Sequence, residues 1–529
     1  MAARPIAQNL SRPTDHRLTR EWWNTRWFVA TALFLSVLPL LWPAIPPLID
    51  LPSHMGSYHV ALNLDSSPTL QRWFEFRWEI IGNLGVELLV MPLGKLLGVE
   101  LATKLVVILI PLLTVLGMIW IAWEIHGELP PSLGFALPLA YCYPLHFGFV
   151  NYCLSMALVL LSLAWWIRLG RQERLVRRAA VFAVTAIIIW LAHAIGWGLL
   201  VVTCACAEIH RRTARGESFA RTLLHSAAAC ATLCTPVLIM LCLPKHMAST
   251  FEGWLLLPEL AKWLGTLFRD RWIGLDLATT AIFMCVLAAA VIRHGGMRLQ
   301  FALALPALGV LAVFVLAPQR VNDSGFVNGR IAPYAMALLV VAIGMRQATH
   351  AQRRALAVGA ALFFAIRMAA TTASMALYSV SYDANLKALD YIPRGSTVLT
   401  LSPVPCGHGF ENWRNARLYH LPSMALVRRD AFVNTEWQID GLQLLRVNYA
   451  AAKPFESDPS ETVTLGCDVP GYRQYKTAIE MFPRQAFDYV WLLDIPANMW
   501  PFEPNLQLAW SAGDSALYRV VRAHRQLAH

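Results

Sequence analysis

The chain has 529 residues, of which 57% are hydrophobic and 15% are charged, and its formal net charge is +11. Soluble domains average about 45–50% apolar and about 25% charged residues, so this composition excludes an ordinary soluble enzyme. Apolar runs recur from Trp27 to Tyr378, with short Arg clusters between them, and predict a polytopic α-helical membrane protein. Because the positive charge lies between apolar runs, it indicates membrane topology and not a nucleic-acid partner.

The N-terminal segment is basic and is followed by an apolar stretch. Residues 1–26 carry Arg at several positions, and no small-residue cleavage site follows the apolar stretch Trp27–Ile45. We therefore expect a cytoplasmic N-terminus, 1–26, and a retained first transmembrane helix.

Topology between the first helix and the basic loop Arg168–Arg178 follows from parity. Four apolar segments lie there, but only an odd number of crossings returns the chain to the cytoplasm. The segment Leu84–Val99 is short and contains charged residues and Pro92, so we expect it to lie at the outer interface. This leaves a first outer loop of about 46–104 and three crossings, at Leu105–Trp123, Ser132–Gly148 and Tyr152–Ile167.

The next apolar run, Ala179–Ile209, has basic clusters at both ends and is too long for one span. It predicts a hairpin of two short helices that turns near His193 and Gly196. Five more crossings are expected downstream, at Leu223–Leu243, Ile273–Ile292, Leu299–Ala317, Ile331–Met345 and Ala355–Tyr378. The transmembrane domain, 27–379, then has about eleven helices and leaves the C-terminus outside, in the periplasm of a Gram-negative cell.

The C-terminal segment, 380–529, has the composition of a soluble domain. Short apolar runs at Ser396–Leu401, Asp488–Leu493 and Ala516–Val521 predict strands, and Tyr472–Met481 predicts a helix. We expect an extracytoplasmic α/β domain. Cys406 and Cys467 are its only cysteines, and an oxidising compartment makes them a candidate disulfide.

The first outer loop opens with an acid between prolines, in Ile49-Asp50-Leu51-Pro52-Ser53-His54. An acid at the outer end of a membrane helix is well placed to act on a lipid headgroup. On a helix, Asp50 and His54 share a face and fit either a general base with its orienting partner or two metal ligands. The alternative is structural: Asp50 caps the helix, and His54 is an interfacial polar residue.

Three more candidates are expected on the same side of the membrane. His146 and Asn151 lie in a turn between apolar runs, and His193 lies at the turn of the hairpin. A histidine there is costly unless it lines a polar cavity, so all three are candidate substrate-binding residues. For His146 and Asn151, the alternative is a Pro/Gly helix break with interfacial aromatic residues.

Arg330 ends an outer loop that begins at Arg320. Basic residues outside run against the positive-inside trend, and Arg suits bidentate recognition of a phosphate. We predict Arg330 as a phosphate contact. The alternative is a pairing with Asp323 or with an anionic lipid headgroup.

These features together resemble the GT-C superfamily of membrane glycosyltransferases: an acid directly after helix 1, a long outer loop with an interfacial helix, many spans and an outer α/β domain. The resemblance implies that Asp50 is the catalytic base and that the donor is a polyprenyl-phosphate sugar whose phosphate lies near Arg330. Many relatives carry an acidic pair in the first loop or an Asp in the turn that holds His146, where this chain has Asn151. A divalent metal is compatible with the sequence but not required by it.

Two other classes stay open. A transporter or flippase of lipid-linked saccharide would need charges near the bilayer midplane, and Arg367 has no evident acidic partner in the spans. A noncatalytic assembly protein for envelope polysaccharide would bind a partner through its outer domain and tolerate the loss of Asp50. In each case we expect an integral protein of the bacterial inner membrane, surrounded by membrane lipids. The sugar, the acceptor and any partner of the outer domain are not set by the sequence.

Overall fold

The computed structural model describes residues 21–243, 250–321, 325–345, 347–404, 406, 413–414 and 416–522. Residues 1–20 of the expected cytoplasmic segment and Asp323 lie outside this part of the chain.

The membrane region is helical. Seven helical stretches of the described chain are long and apolar enough to cross a membrane, and three shorter apolar helices accompany them. The predicted polytopic α-helical class is confirmed. The helices are α1 Arg26–Leu41, α2 Leu51–Asn63, α3 Gly85–Leu97, α4 Val99–His126, α5 Tyr143–Phe147, α6 Val150–Arg171, α7 Leu175–Ala192, α8 Ala194–Thr213, α9 Phe219–Cys230, α10 Thr235–Cys242, α11 Leu257–Gly265, α12 Ile273–Val291, α13 Phe301–Leu316, α14 Val327–Val341, α15 His350–Leu386, α16 Ser423–Arg429 and α17 Tyr475–Met481.

The segment 132–148, expected to be a transmembrane helix, is irregular. It consists of two 3-10 turns, Leu133–Phe135 and Leu137–Tyr141, followed by the short α5. Pro138 and Pro144 interrupt any regular helix here, and residues 130–146 are buried in protein, where irregular backbone is tolerated. The segment still returns the chain across the bundle. Arg171 at the end of α6 contacts Glu124 near the end of α4 at 2.6 Å, so these two helices run parallel.

The hairpin forms as expected, with α7 and α8 meeting at His193. At its open end the Arg178 guanidinium donates to the Glu208 carboxylate at 3.0 Å, and Arg211 and Arg212 contact the same carboxylate. These pairs lie on the face that also holds Arg171. The α7–α8 turn and residues 46–98 lie on the opposite face, which we call the domain face because the C-terminal domain sits on it.

The C-terminal domain is built on a seven-stranded mixed sheet, which confirms the α/β prediction. Its order is β10-β9-β6-β11-β13-β12, and β7 pairs with β6. The expected boundary at 379/380 falls inside α15, which continues to Leu386. The strands of the chain are β1 Phe74–Phe76, β2 Phe251–Glu252, β3 Arg298–Leu299, β4 Arg320–Val321, β5 Ile343–Gly344, β6 Thr397–Val404, β7 Phe432–Val433, β8 Leu445–Val447, β9 Thr462–Thr464, β10 Arg473–Gln474, β11 Tyr489–Leu492, β12 Leu506–Ala512 and β13 Ser515–Val520.

The first outer loop is part of this domain's packing. β1 pairs antiparallel with β8, with Phe74 opposite Val447. α2 packs against α16, and Ser53 of α2 is hydrogen-bonded to His420 and Ser423 just before and within that helix. The segment that carries Asp50 is therefore held from both sides, by the membrane helices and by the soluble domain.

Candidate active site

Asp50 lies where the first outer loop meets the irregular segment 132–148. Its backbone N–H donates to the Phe147 carbonyl at 2.8 Å, and the N–H of Ile49 donates to the His146 carbonyl at 3.3 Å. Gly148 makes this contact feasible, because its φ is +104° and a Cβ there would lie 2.8 Å from the Asp50 nitrogen. The segment around Asp50 and the segment around His146 thus contact each other.

The Asp50 carboxyl is buried, and one of its oxygens has no hydrogen-bond donor among the described residues. Asp50 occupies the N-cap position of α2, but its side chain makes no capping hydrogen bond. The residue is 6% exposed, and no donor among the described residues reaches Oδ1. Burial and the nearby Asp458 carboxyl raise the pKa of Asp50 well above its usual value, against the opposing charge of Arg330. A capping role does not account for this side chain.

The imidazole that faces Asp50 belongs to His420, whose Nε2 lies 3.7 Å from Asp50 Oδ1. His420 Nδ1 lies 3.2 Å from the Thr435 carbonyl and 3.0 Å from Ser53 Oγ. A carbonyl can only accept, so this network assigns the hydrogen to Nδ1 and leaves the Nε2 lone pair towards Asp50.

Three more carboxyl groups surround His420. Ligand atoms of His420, Asp458 and Glu461 all lie within 4.8 Å of one another. Glu436 joins them, since its charge acts on Glu461 and the Asp458 backbone N–H donates to the Glu436 carbonyl at 3.0 Å. Asp50, His420, Glu436, Asp458 and Glu461 are called the acidic cluster below. We did not expect its four C-terminal members, because residues 420 to 461 match no motif spacing and meet only through the fold.

His54, predicted as the partner of Asp50, stacks instead between aromatic rings. Its ring lies 6.0 Å from Tyr58 and 5.1 Å from Trp437, centroid to centroid. Burial and the neighbouring His420 lower the pKa of His54 to about 3, so the ring is neutral. Within the described chain, no hydrogen bond joins the His54 ring to Asp50.

Arg330 lies at the start of α14 and faces the same region. Its guanidinium carbon sits 3.8 Å from the Phe149 ring centroid, and its charge acts on both Asp50 and His193. The Tyr152 hydroxyl donates to the Arg330 carbonyl at 2.9 Å. The positive charge of Arg330 thus acts on Asp50 and opposes the rise in its pKa.

His193 stands on the other side of Tyr152, with ring centroids 5.3 Å apart. Its Nδ1 accepts from the Ile195 backbone N–H at 3.1 Å and so caps α8. The structure thus brings Asp50, Arg330 and His193 to one region, while His193 also has a structural task.

His146 belongs to a separate buried network. Its Nδ1 lies 2.8 Å from Nη2 of Arg417, which also donates to Asp270 Oδ1 at 2.9 Å. The other terminal nitrogen of Arg417 donates to the Pro47 carbonyl. Burial acts to raise the pKa of Asp270, but His146 and Arg417 hold it below its usual value. This charge-balanced network ties the soluble domain to two outer loops.

Asn151 anchors α3. Its Oδ1 accepts from the Val86 N–H at 2.6 Å, and its Nδ2 donates to Glu87 Oε2 at 2.8 Å and to the Asn83 carbonyl at 3.0 Å. Both polar atoms of the amide are engaged with the residues that open α3. We therefore assign Asn151 a positioning role.

Arg367 has an acidic partner in the spans, and the expectation that it has none is wrong. Its Nη1 donates to Asp276 Oδ1 at 2.6 Å, and the side chains are 3% and 1% exposed. Asp276 Oδ2 accepts from Trp413 Nε1 at 2.7 Å and from the Asp270 N–H at 2.9 Å. Asp276 lies in the first turn of α12, at the domain face, and both of its carboxylate oxygens accept from protein donors.

Cys406 and Cys467 are joined by a disulfide, with their Cα atoms 5.7 Å apart. The bond links the end of β6 to the segment after β9. These two strands also pair in parallel, with Ser402 opposite Thr462.

The chain is similar to ArnT. Crystal structures of ArnT from Cupriavidus metallidurans, bound to undecaprenyl phosphate and in the apo state, match 93% of this chain and 97% of their own. Sequence identity is 12% and 13%, and the TM-scores are 0.48 and 0.47. No family model and no curated protein matches the chain.

Proposed function

We propose that the protein transfers a sugar from a polyprenyl-phosphate donor to an acceptor hydroxyl at the domain face, with inversion. The observation that carries this proposal is the Asp50 carboxyl, buried with Oδ1 unpartnered among the described residues and with Arg330 as its cationic neighbour. A base and a phosphate-binding cation at the mouth of membrane helices suit a donor whose phosphate stays at the bilayer surface.

In the proposed reaction, the acceptor oxygen attacks the anomeric carbon of the sugar. The bond from that carbon to the phosphate oxygen breaks, and the polyprenyl phosphate leaves with the electron pair. Asp50 takes the proton of the acceptor hydroxyl, and Arg330 offsets the charge that develops on the leaving phosphate. Burial and Asp458 raise the pKa of Asp50, which makes its carboxylate a stronger base towards the acceptor hydroxyl.

Asp50→Asn tests the base. We expect loss of sugar transfer by about 100-fold or more, with folding unchanged, in an assay with labelled polyprenyl-phosphate sugars and extracted envelope acceptors. Asp65→Asn is the matched control, because Asp65 is an exposed acid on the same outer loop. Equal transfer by Asp50→Asn and wild type would remove Asp50 from the mechanism.

Arg330→Gln and Arg330→Lys test the phosphate contact. Arg330→Gln should lower transfer and weaken binding of polyprenyl phosphate, because it removes the positive charge. Arg330→Lys should restore part of both, because it keeps the charge but loses the bidentate geometry of the guanidinium. Arg320→Gln is the control, since Arg320 is exposed on the same loop. Binding that is unchanged in Arg330→Gln would place the phosphate elsewhere.

A noncatalytic assembly role stays the competing function for this chain. A well-folded wild-type protein that transfers no sugar from any donor tested would favour it. A transporter gains no support from Arg367, because both oxygens of its partner Asp276 already accept protein donors.

A further inference from the structure

The acidic cluster contains more carboxyl groups than the described protein around it pairs. It contains four carboxyl groups, and within the described chain no Lys or Arg forms an ion pair with any of them. Glu436 and Glu461 are completely buried, and their four oxygens accept no hydrogen bond of ordinary geometry from described residues. Buried carboxyl groups in proteins are normally paired, protonated or bound to a metal.

Asp50 adds an independent sign of a missing ligand. It comes from a different part of the chain, is 6% exposed, and directs an unpartnered Oδ1 towards His420 at 3.7 Å. Gly56 of α2 brings the same loop against Glu436, since a Cβ at Gly56 would lie 2.4 Å from Glu436 Oε1. Asp50 Oδ1 and the Glu436 carboxyl oxygens thus lie where these two segments meet, without a hydrogen-bond donor among the described residues.

The donor set suits a divalent cation. His420, Asp458 and Glu461 offer one ligand atom each within 4.8 Å of one another. Ligands that share a cation such as Zn²⁺ lie about 2.0–2.2 Å from it, and hence about 3–4.4 Å apart, which small side-chain rotations achieve. The Nδ1 contact of His420 with the Thr435 carbonyl leaves Nε2 as the ligand atom and supplies the usual second partner of a metal-bound imidazole.

The site is reachable from water. A cavity of about 600 Å³ is lined by Asp458 together with Lys453, Tyr472 and Arg473. An ion can therefore reach Asp458 without passing through the membrane region.

We propose that His420, Asp458 and Glu461 bind a divalent cation of the Zn²⁺ or Mn²⁺ type, with Asp50 and Glu436 adding negative charge at its edge. One imidazole with several carboxylates and no thiol fits these ions. The cation would join the soluble domain to the loop that carries Asp50.

Metal content of the full-length protein, purified in detergent without chelator, tests the proposal. After stripping with EDTA, Zn²⁺ or Mn²⁺ alone is titrated by calorimetry, and bound metal is counted by plasma mass spectrometry. We expect about one equivalent per chain and a rise in Tm of about 3 °C or more on saturation, reversed by EDTA. Failure of the stripped, folded protein to bind either ion would overturn the proposal.

Asp458→Asn and Glu461→Gln preserve shape and remove one ligand charge each. Both should bind the cation at least about tenfold more weakly, and without metal both should melt at or above the wild-type Tm. Glu456→Gln is the control, since Glu456 lines the same cavity outside the cluster. If Asp458→Asn and Glu461→Gln bound metal as wild type does, the assigned ligands would be wrong. No sugar donor is present, so this result is separate from the transfer reaction.

Discussion

Two buried networks at the domain face differ in how completely their charges are matched. In the His146–Arg417–Asp270 network, a fully buried cation donates to a carboxylate, an imidazole and a backbone carbonyl. In the acidic cluster, four carboxyl groups surround one imidazole and leave several oxygens without a donor from the described chain. The first network pairs its cation with a carboxylate and holds segments together. The second is not balanced by described donors, and it contains Asp50, the proposed base.

Removal of one acid from each network should give the largest contrast. Asp270→Asn leaves the buried Arg417 uncompensated and should destabilise the protein by about 3–5 kcal/mol. Asp50→Asn removes a charge that burial already disfavours, so its Tm should equal or exceed that of wild type. Thermal unfolding of the purified variants measures both. Equal losses of stability in the two variants would show that the two networks do not differ in how their buried charges are paired.

The sequence predicted the architecture far better than the site. Apolar helices and strands followed from apolar runs, which are local properties. Asp50, Arg330 and His193 were predicted from their places at helix ends, and the fold brings them to one region.

The remainder of the site depends on long-range packing. His420 meets Asp50 across 370 residues because α2 packs on the segment around α16, and no spacing in the sequence encodes that contact. Arg367 and Asp276 are 91 residues apart, so their pairing was equally hidden. His54 was chosen for its helical spacing from Asp50, but the helix begins only at Leu51 and the ring turns to Trp437.

Glu87 is an intermediate case, a buried carboxyl with one side-chain amide partner. Burial raises its pKa to about 7, although the hydrogen bond from Asn151 opposes the shift. An acid whose folded-state pKa is raised stabilises most at low pH, and this contribution is lost as pH rises from about 4.5 through about 7. Glu87→Gln should therefore match wild type near pH 5 and be more stable by about 2–3 kcal/mol at pH 8.

The measurement for Glu87 is thermal unfolding between pH 5 and pH 8.5. Asp65→Asn serves as the exposed control and should follow the wild-type pH curve. A constant difference between Glu87→Gln and wild type across this range would show that Glu87 has the same pKa in the folded and the unfolded protein.

Asn151→Ala gives the smallest expected effect and decides between anchoring and substrate contact. The substitution leaves the Val86 N–H and the Glu87 carboxyl without their partner, so it should cost about 1–2 kcal/mol of stability. Because the amide is fully used by α3, sugar transfer at a temperature where the variant is folded should stay within about threefold of wild type. A loss of transfer close to that of Asp50→Asn, with α3 still folded, would instead return Asn151 to the substrate site. The pairing also predicts non-additivity: once Asn151 is Ala, Glu87→Gln removes a carboxyl that no longer has an amide donor, so its stabilisation at pH 8 should grow.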